Sequence, residues 1–386
     1  MTDKKIDTRL VHTGRHPQAQ HGSVNPPVYH ASTIIFPTVE ALYDPDKPYP
    51  YGRRRTPTIA ALQEAVAELD GAHNALVAPS GLAAVSTALL SFLKAGDHLL
   101  VTDSVYGPTR NFCDGMLTRY GVEVTYYPPT IGAGITELMR ANTRAVFAES
   151  PGSYTFEVQD IPALADASHA HGATLLLDNT WASPLFFQPF DHGVDVCIHA
   201  GTKYLVGHSD TMMGTISANK TAWPALAEGH GALGTTAGPD DIFLTLRGIR
   251  TLGVRMRQHM ATGLALAAWL SARPEVERVF HPGLESDPGH ALWKRDFTGA
   301  SGLFGVLLKP FERPAIAAML DGLELFAMGY SWGGFESLIV PALVRKLRTA
   351  EPWTEKAPLL RIHAGLEDID DLKADLEAGF KRLTAE

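Results

Sequence analysis

Asp178 and Lys203 are the two residues of this chain whose types and setting suggest covalent chemistry. Leu175-Leu176-Leu177 is a short, wholly apolar run that ends abruptly in Asp178. Such a run reads as a strand buried on both faces of a parallel sheet, with the acid at its carboxyl edge. Val194-Asp195-Val196-Cys197-Ile198 is a second β-prone run, and Gly201-Thr202-Lys203 lies just past its end. In open α/β sheets ligands sit beyond the carboxyl ends of the strands, so the acid and the amine would face one crevice. That pair suits pyridoxal 5′-phosphate (PLP). Its aldehyde condenses with a lysine amine, and an aspartate keeps the pyridine nitrogen protonated so that the ring draws electrons. An isolated acid and lysine at this spacing are more often a loop cap and a solvated side chain, so the neighbouring residues must carry the argument.

Those neighbours are specific. Asp178-Asn179-Thr180-Trp181, followed by Thr202-Lys203-Tyr204-Leu205-Val206-Gly207-His208-Ser209-Asp210, resembles the Cys/Met-metabolism family of PLP-dependent enzymes. The likeness runs from Thr8 to about Phe380. It implies an α/β protein of the PLP-dependent transferase fold (fold type I, aspartate-aminotransferase-like). A large domain with a mostly parallel seven-stranded sheet and a smaller α+β C-terminal domain are expected. Within the family the chain most resembles the carbon–sulfur β-lyases, through Tyr51-Gly52-Arg53-Arg54, Gly207-His208-Ser209-Asp210 and Ser331-Trp332-Gly333-Gly334. The implied reaction converts L-cystathionine to L-homocysteine, pyruvate and ammonia, a step of methionine biosynthesis, with cysteine S-conjugates also accepted. The rivals are a γ-lyase or γ-synthase of cystathionine, a cysteine desulfhydrase, and a regulator of the same fold with little turnover. Two positions depart from the family pattern: Ala200, where a serine often adds a phosphate donor, and Gly231, where some β-lyases carry a tyrosine at the site mouth.

Other elements must position cofactor and substrate. Ala75 to Ala78 reads as a strand, and Ser80-Gly81-Leu82 opens a helix of small and apolar residues. A strand, a Ser-Gly turn and a helix start together make an anion site from free backbone N–H groups and the helix dipole. Thr202 can add a hydroxyl. Tyr106 follows the strand Leu99 to Val101 at the ligand edge, where an aromatic ring plugs a seam or stacks on a ligand; the resemblance assigns it to stacking over the pyridine. Tyr51 and Arg53 carry phosphate-type donors, and in the similar family such residues reach the cofactor of a neighbouring subunit. Arg361, in an otherwise apolar strand, is either an ion-pair partner or a clamp for a carboxylate, since a charge buried alone is costly. The family resemblance over Arg361 to Asp368 implies the clamp, with Ser331 and Trp332 in the glycine-rich loop beside the substrate. The resemblance thus gives Lys203, Asp178 and Tyr106 catalytic roles, with Lys203 as general base.

Length and composition bound the rest. At 386 residues the chain is long for one core. The expected division is an extended inter-subunit arm over 1–55, a PLP-binding domain over 56–250 and a C-terminal domain over 251–386. The arm shows no sustained helical period and would order only by docking, a homodimer being the natural catalytic unit and a homotetramer its pairing. Amphipathic segments at Thr58–Leu69, 107–120, 134–141, 161–171, Asp240–Leu270, 313–321 and 368–382 read as helices. The net charge of −9 argues against nucleic acid or an anionic membrane as partner. Two cysteines, Cys113 and Cys197, read as reduced thiols of a cytoplasmic protein. Sixteen scattered histidines without a metal-binding pattern give no metal site.

Overall fold

The computed structural model describes residues 3–385; residues 1, 2 and 386, the outermost of the expected arm and C-terminal domain, lie outside it. Seven strands form the larger sheet: β1 (Asn74–Ala78), β2 (His98–Thr102), β3 (Glu123–Tyr127), β4 (Thr143–Glu149), β5 (Thr174–Asp178), β6 (Val196–His199) and β7 (Gly214–Ala218). Their order is β1-β7-β6-β5-β4-β2-β3. β2 to β6 pair in parallel, and β7 runs antiparallel to both β6 and β1. The expected mostly parallel sheet is therefore present. The inner stretches of β2, β4, β5 and β6 (Leu99–Val101, Ala145–Ala148, Leu175–Leu177 and Val196–Ile198) are apolar because both faces are covered. Leu175 and Leu177 pack towards the helix Pro57–Asp70, and Leu176 with Val196 and Ile198 towards the helix Gly81–Phe92. A second sheet, ordered β10-β11-β9-β8 and wholly antiparallel, is built from β8 (Val276–Phe280), β9 (Leu303–Leu308), β10 (Leu338–Ala342) and β11 (Leu359–His363). Phe304, Val306 and Ile362 bury one of its faces under Leu376 and Phe380 of the helix Ile369–Leu383.

Three expectations change. Thr8-Arg9-Leu10-Val11-His12, read as extended, belongs to a helix, Ile6–His12. Leu10 is buried in the main core, and Arg250 donates to the carbonyls of Leu10 and Thr13, so this stretch is tied to the body of the chain. The single helix expected over Asp240–Leu270 is two, Pro239–Ile249 and Leu252–Ser271, divided at Thr251. The break lets both halves wrap the turn after Lys203. Gly248 comes so close to the Leu205 and Val206 carbonyls that a Cβ would stand 2.3 Å from each oxygen. Arg255 donates to Tyr204 O at 2.9 Å and to Gly248 O at 2.8 Å. The segment near 134–141 is a 3₁₀ helix, Gly132–Leu138, where two glycines weaken the α form. The seventh strand of the expected sheet, β7, is one that no apolar run marks: in Gly214-Thr215-Ile216-Ser217-Ala218 only Ile216 is large and apolar. Among the described residues no helix is long and apolar enough to cross a membrane.

Candidate active site

Three parallel strands end at one edge of the larger sheet and deliver the chemistry there. Glu149 closes β4 and Asp178 closes β5, and the two residues are partners in the strand pairing. The chain leaves β6 through Ala200-Gly201-Thr202, which brings Lys203 to the same edge. All three line a cavity of about 320 Å³. Tyr106, Arg361 and Trp332 face it from other elements, and Ser80, Gly81, Leu82 and Thr202 close one end. Ser331 stands one bond behind the lining, its hydroxyl accepting from Lys203 Nζ at 2.6 Å. Tyr51, 45 % exposed, and Arg53 do not line the cavity of their own chain. Gly231 lies in the helix Trp223–Leu233, also outside the lining, where an added Cβ would meet nothing within 4 Å.

Burial and neighbouring charge tune these groups. Burial brings the Lys203 amine down to about 8, the Arg361 cation helping and Asp178 opposing. Burial raises the Asp178 carboxyl, while donation from the Thr180 hydroxyl and N–H and the nearby His199 pull it back. His199, behind that carboxylate, would be lowered by burial, but its contact with Asp70 at 2.8 Å raises it overall. Glu149 is pushed up to about 8, chiefly by burial and next by the facing Asp178. Burial also raises the Tyr106 phenol, so the ring keeps its proton.

The helix Gly81–Phe92 presents the anion site. The Ser80 hydroxyl caps Ala83 N–H at 3.1 Å, and the N–H groups of Gly81 and Leu82 have no partner among the described residues. A Cβ on Gly81 would stand 2.5 Å from Ala200 Cβ, so glycine is what lets the helix start close on the lysine turn. Thr202 is less free than expected: its hydroxyl accepts from Met213 N–H at 2.8 Å and donates to Met213 O at 3.2 Å. Arg361 is buried, and its guanidinium donates to Ser331 O at 3.0 Å. No carboxylate among the described residues pairs with it. A buried cation left open on a cavity wall is costly unless an anion completes it.

Sequence reasoning missed the residues that hold the walls. Glu149 is one of them: its carboxylate accepts from Tyr106 N–H at 2.8 Å and from the Ser153 hydroxyl at 2.9 Å. The strand-edge argument that found Asp178 applies equally to Glu149. His363 accepts from Gly333 N–H at 3.1 Å and anchors the loop bearing Ser331 and Trp332, and the sequence carries no sign of that.

Free helix N–H groups, a carboxylate beside an amine and an aromatic face fit a phosphorylated pyridine aldehyde. Comparison with known proteins agrees. Residues 7–381 match the family described as Cys/Met metabolism PLP-dependent enzyme. A putative cystathionine beta-lyase of Rhizobium johnstonii is 52 % identical, the alignment covering 98 % of this chain and 97 % of that protein. The cystathionine beta-lyase of Salmonella typhimurium is 46 % identical over 99 % of this chain and 100 % of that protein. Among solved structures, cystathionine gamma synthase of Xanthomonas oryzae pv. oryzae, in complex with aminoacrylate and cysteine, superposes with a TM-score of 0.92. It is 31 % identical, covering 98 % of each chain. A match of this length and specificity has one reading: the chain belongs to the Cys/Met-metabolism family of PLP-dependent enzymes.

Proposed function

We propose that the protein is a carbon–sulfur β-lyase that cleaves L-cystathionine to L-homocysteine, pyruvate and ammonia, and that it also accepts other cysteine S-conjugates. The observation that carries this reading is the convergence of Lys203, Asp178 and an unpaired Arg361 on one cavity walled by Trp332. The names of the two curated relatives point the same way. Bound PLP supplies an electron sink for the pair left when the substrate Cα–H is removed. The Gly81 and Leu82 N–H groups would hold its phosphate, and Asp178 would keep the pyridine nitrogen protonated. Tyr106 offers its ring face.

Arg361 grips the substrate α-carboxylate by its guanidinium fork, which an ammonium cannot reproduce. Lys203, with its amine brought down to about 8, takes the Cα proton near neutral pH. Lys203 then returns a proton to the departing thiolate sulfur, or Tyr106 gives its phenol proton. Water finally hydrolyses the released three-carbon remnant to pyruvate and ammonia.

The catalytic unit in this reading is a homodimer, two of which pair into a tetramer. Ile35 is 89 % exposed on the arm, with Val39 and Tyr43 also exposed, and a second copy would cover them. Tyr51 and Arg53 would reach the partner's cofactor phosphate. Two buried free thiols, Cys113 and Cys197, suit a reducing, cytoplasmic setting. The test is product analysis with purified, PLP-loaded protein and cystathionine. Pyruvate release, abolished in Lys203→Ala, supports the proposal; 2-oxobutyrate would mark γ-elimination, and absence of turnover would favour a regulator.

A further inference from the structure

Tyr154 has a conformation and a setting that the assigned residues leave unexplained. Its φ is +67°, and that of Phe156 is +54°. A left-handed backbone is uncommon outside glycine and unusual for a bulky aromatic residue; it persists only where the surroundings impose it. They do so here. Ser153 N–H donates to Ser104 O at 2.8 Å, and its hydroxyl donates to Glu149 at 2.9 Å. Gly152 and Phe156 close the turn through Gly152 N–H to Glu157 O at 3.0 Å and Phe156 N–H to Gly152 O at 3.2 Å. The Tyr154 carbonyl lies against β9, where a Cβ on Gly305 would stand 2.6 Å from its oxygen. Arg348 binds Glu157 at 3.0 Å on the outer side, and Thr155 as well. Tyr154 and Phe156 are thereby turned into the cavity, while Thr155 and Glu157 face away from it.

The Tyr154 ring meets Arg361, whose guanidinium carbon is 5.8 Å from the ring centroid. That is within cation–π range, and the attraction strengthens as water is excluded. Within the chain, Ser331 O at 3.0 Å is the only hydrogen-bond acceptor on this guanidinium among the described residues. An arginine that must present its fork to a carboxylate needs a second support that does not occupy the fork. A ring face supplies it. We infer that Tyr154 is a positioning residue for the substrate carboxylate: the strained turn 152–157 presents its ring to Arg361, which aims the guanidinium into the cavity. The inference rests on the reading of Arg361 as the carboxylate clamp.

The test separates the two. Tyr154→Leu in the holoenzyme removes the ring and should raise KM for cystathionine about tenfold with kcat within about twofold. Tyr154→Phe keeps the ring face and should recover most of that loss. Tyr154→Gly relieves the left-handed backbone while giving up the ring's packing against the core, and its KM should rise as in Tyr154→Leu. Glycine, which has a carboxylate and an amine but no group to eliminate, gives a readout without turnover. Its affinity, followed by the absorption of the bound cofactor, should weaken in Tyr154→Leu and Tyr154→Gly. Arg361→Lys serves as the reference. If Arg361→Lys leaves KM and glycine affinity unchanged, the clamp reading itself has failed. If Arg361→Lys weakens both and Tyr154→Leu weakens neither, the clamp stands and the role of Tyr154 is overturned. Equal losses in Tyr154→Phe and Tyr154→Leu would also overturn it, since the ring would then be irrelevant.

Discussion

Glu149 shows what burial does to a single residue. Its carboxyl, pushed up to about 8 by burial and the facing Asp178, keeps its proton in the folded chain to far higher pH than in the unfolded chain, where it ionises near 4.5. The folded state therefore binds more protons between those values. The stabilisation this group gives is complete below about 4.5 and is lost as pH rises through about 8. Glu149→Gln cannot ionise, and its amide oxygen can still accept from Tyr106 N–H. In urea unfolding of the cofactor-free protein, the stability of this variant relative to wild type should improve by a few kcal/mol, on the order set by about 1.4 kcal/mol per pKa unit, between pH 5 and 9. A difference that stays constant with pH would show that Glu149 is ionised throughout. Residues with such displaced titration cluster at active sites, and Lys203, Asp178 and Glu149 all lie on one cavity.

At the scale of elements, the site depends on how closely the helix Gly81–Phe92 approaches the turn after β6. Gly81 and Ala200 leave no room for another methyl group, the separation from an added Cβ being 2.5 Å. Gly81→Ala would push the helix start, with its free N–H groups, away from Lys203. The expected outcome is at least a tenfold weaker affinity of the apoprotein for PLP, measured by absorbance titration, with secondary structure retained. An unchanged affinity would mean that the phosphate is held elsewhere. Ala200 Cβ is the wall on which the helix start rests.

For the whole molecule, the proposal puts Tyr51 and Arg53 at the partner's site. They end an arm whose apolar residues are exposed, and they lie outside their own chain's cavity. In the proposed homodimer, mixing inactive Arg53→Ala protein with inactive Lys203→Ala protein, under conditions that exchange subunits, should restore activity. A hybrid carries both lesions in one site and neither in the other. If exchange is demonstrated and activity stays absent, these residues work within their own subunit or not at all.

The division between what sequence and tertiary structure decide follows from range. Local chemistry was legible: continuous apolar runs ending in an acid, a Ser-Gly helix start, and a Thr-Lys pair after a strand reflect two-sided burial and backbone geometry within a few residues. These were enough for the parallel sheet and for bringing Asp178 and Lys203 to one ligand edge. Glu149 could have been read by the same rule. The small residues of β7 carry no such signature, because the helix Gly81–Phe92 comes so close that a Cβ on Gly214 would stand 2.8 Å from Ala84 Cβ. The division of the expected 240–270 helix was equally hidden, since it depends on the fit of Gly248 against carbonyls more than forty positions away in the chain. The aim of Arg361 is decided in the same way. Only folding brings Ser331 O and the Tyr154 ring against that guanidinium while leaving every carboxylate of the described chain out of reach. A residue type announces its charge in sequence, but whether that charge is paired or presented is set by contacts that sequence spacing does not contain.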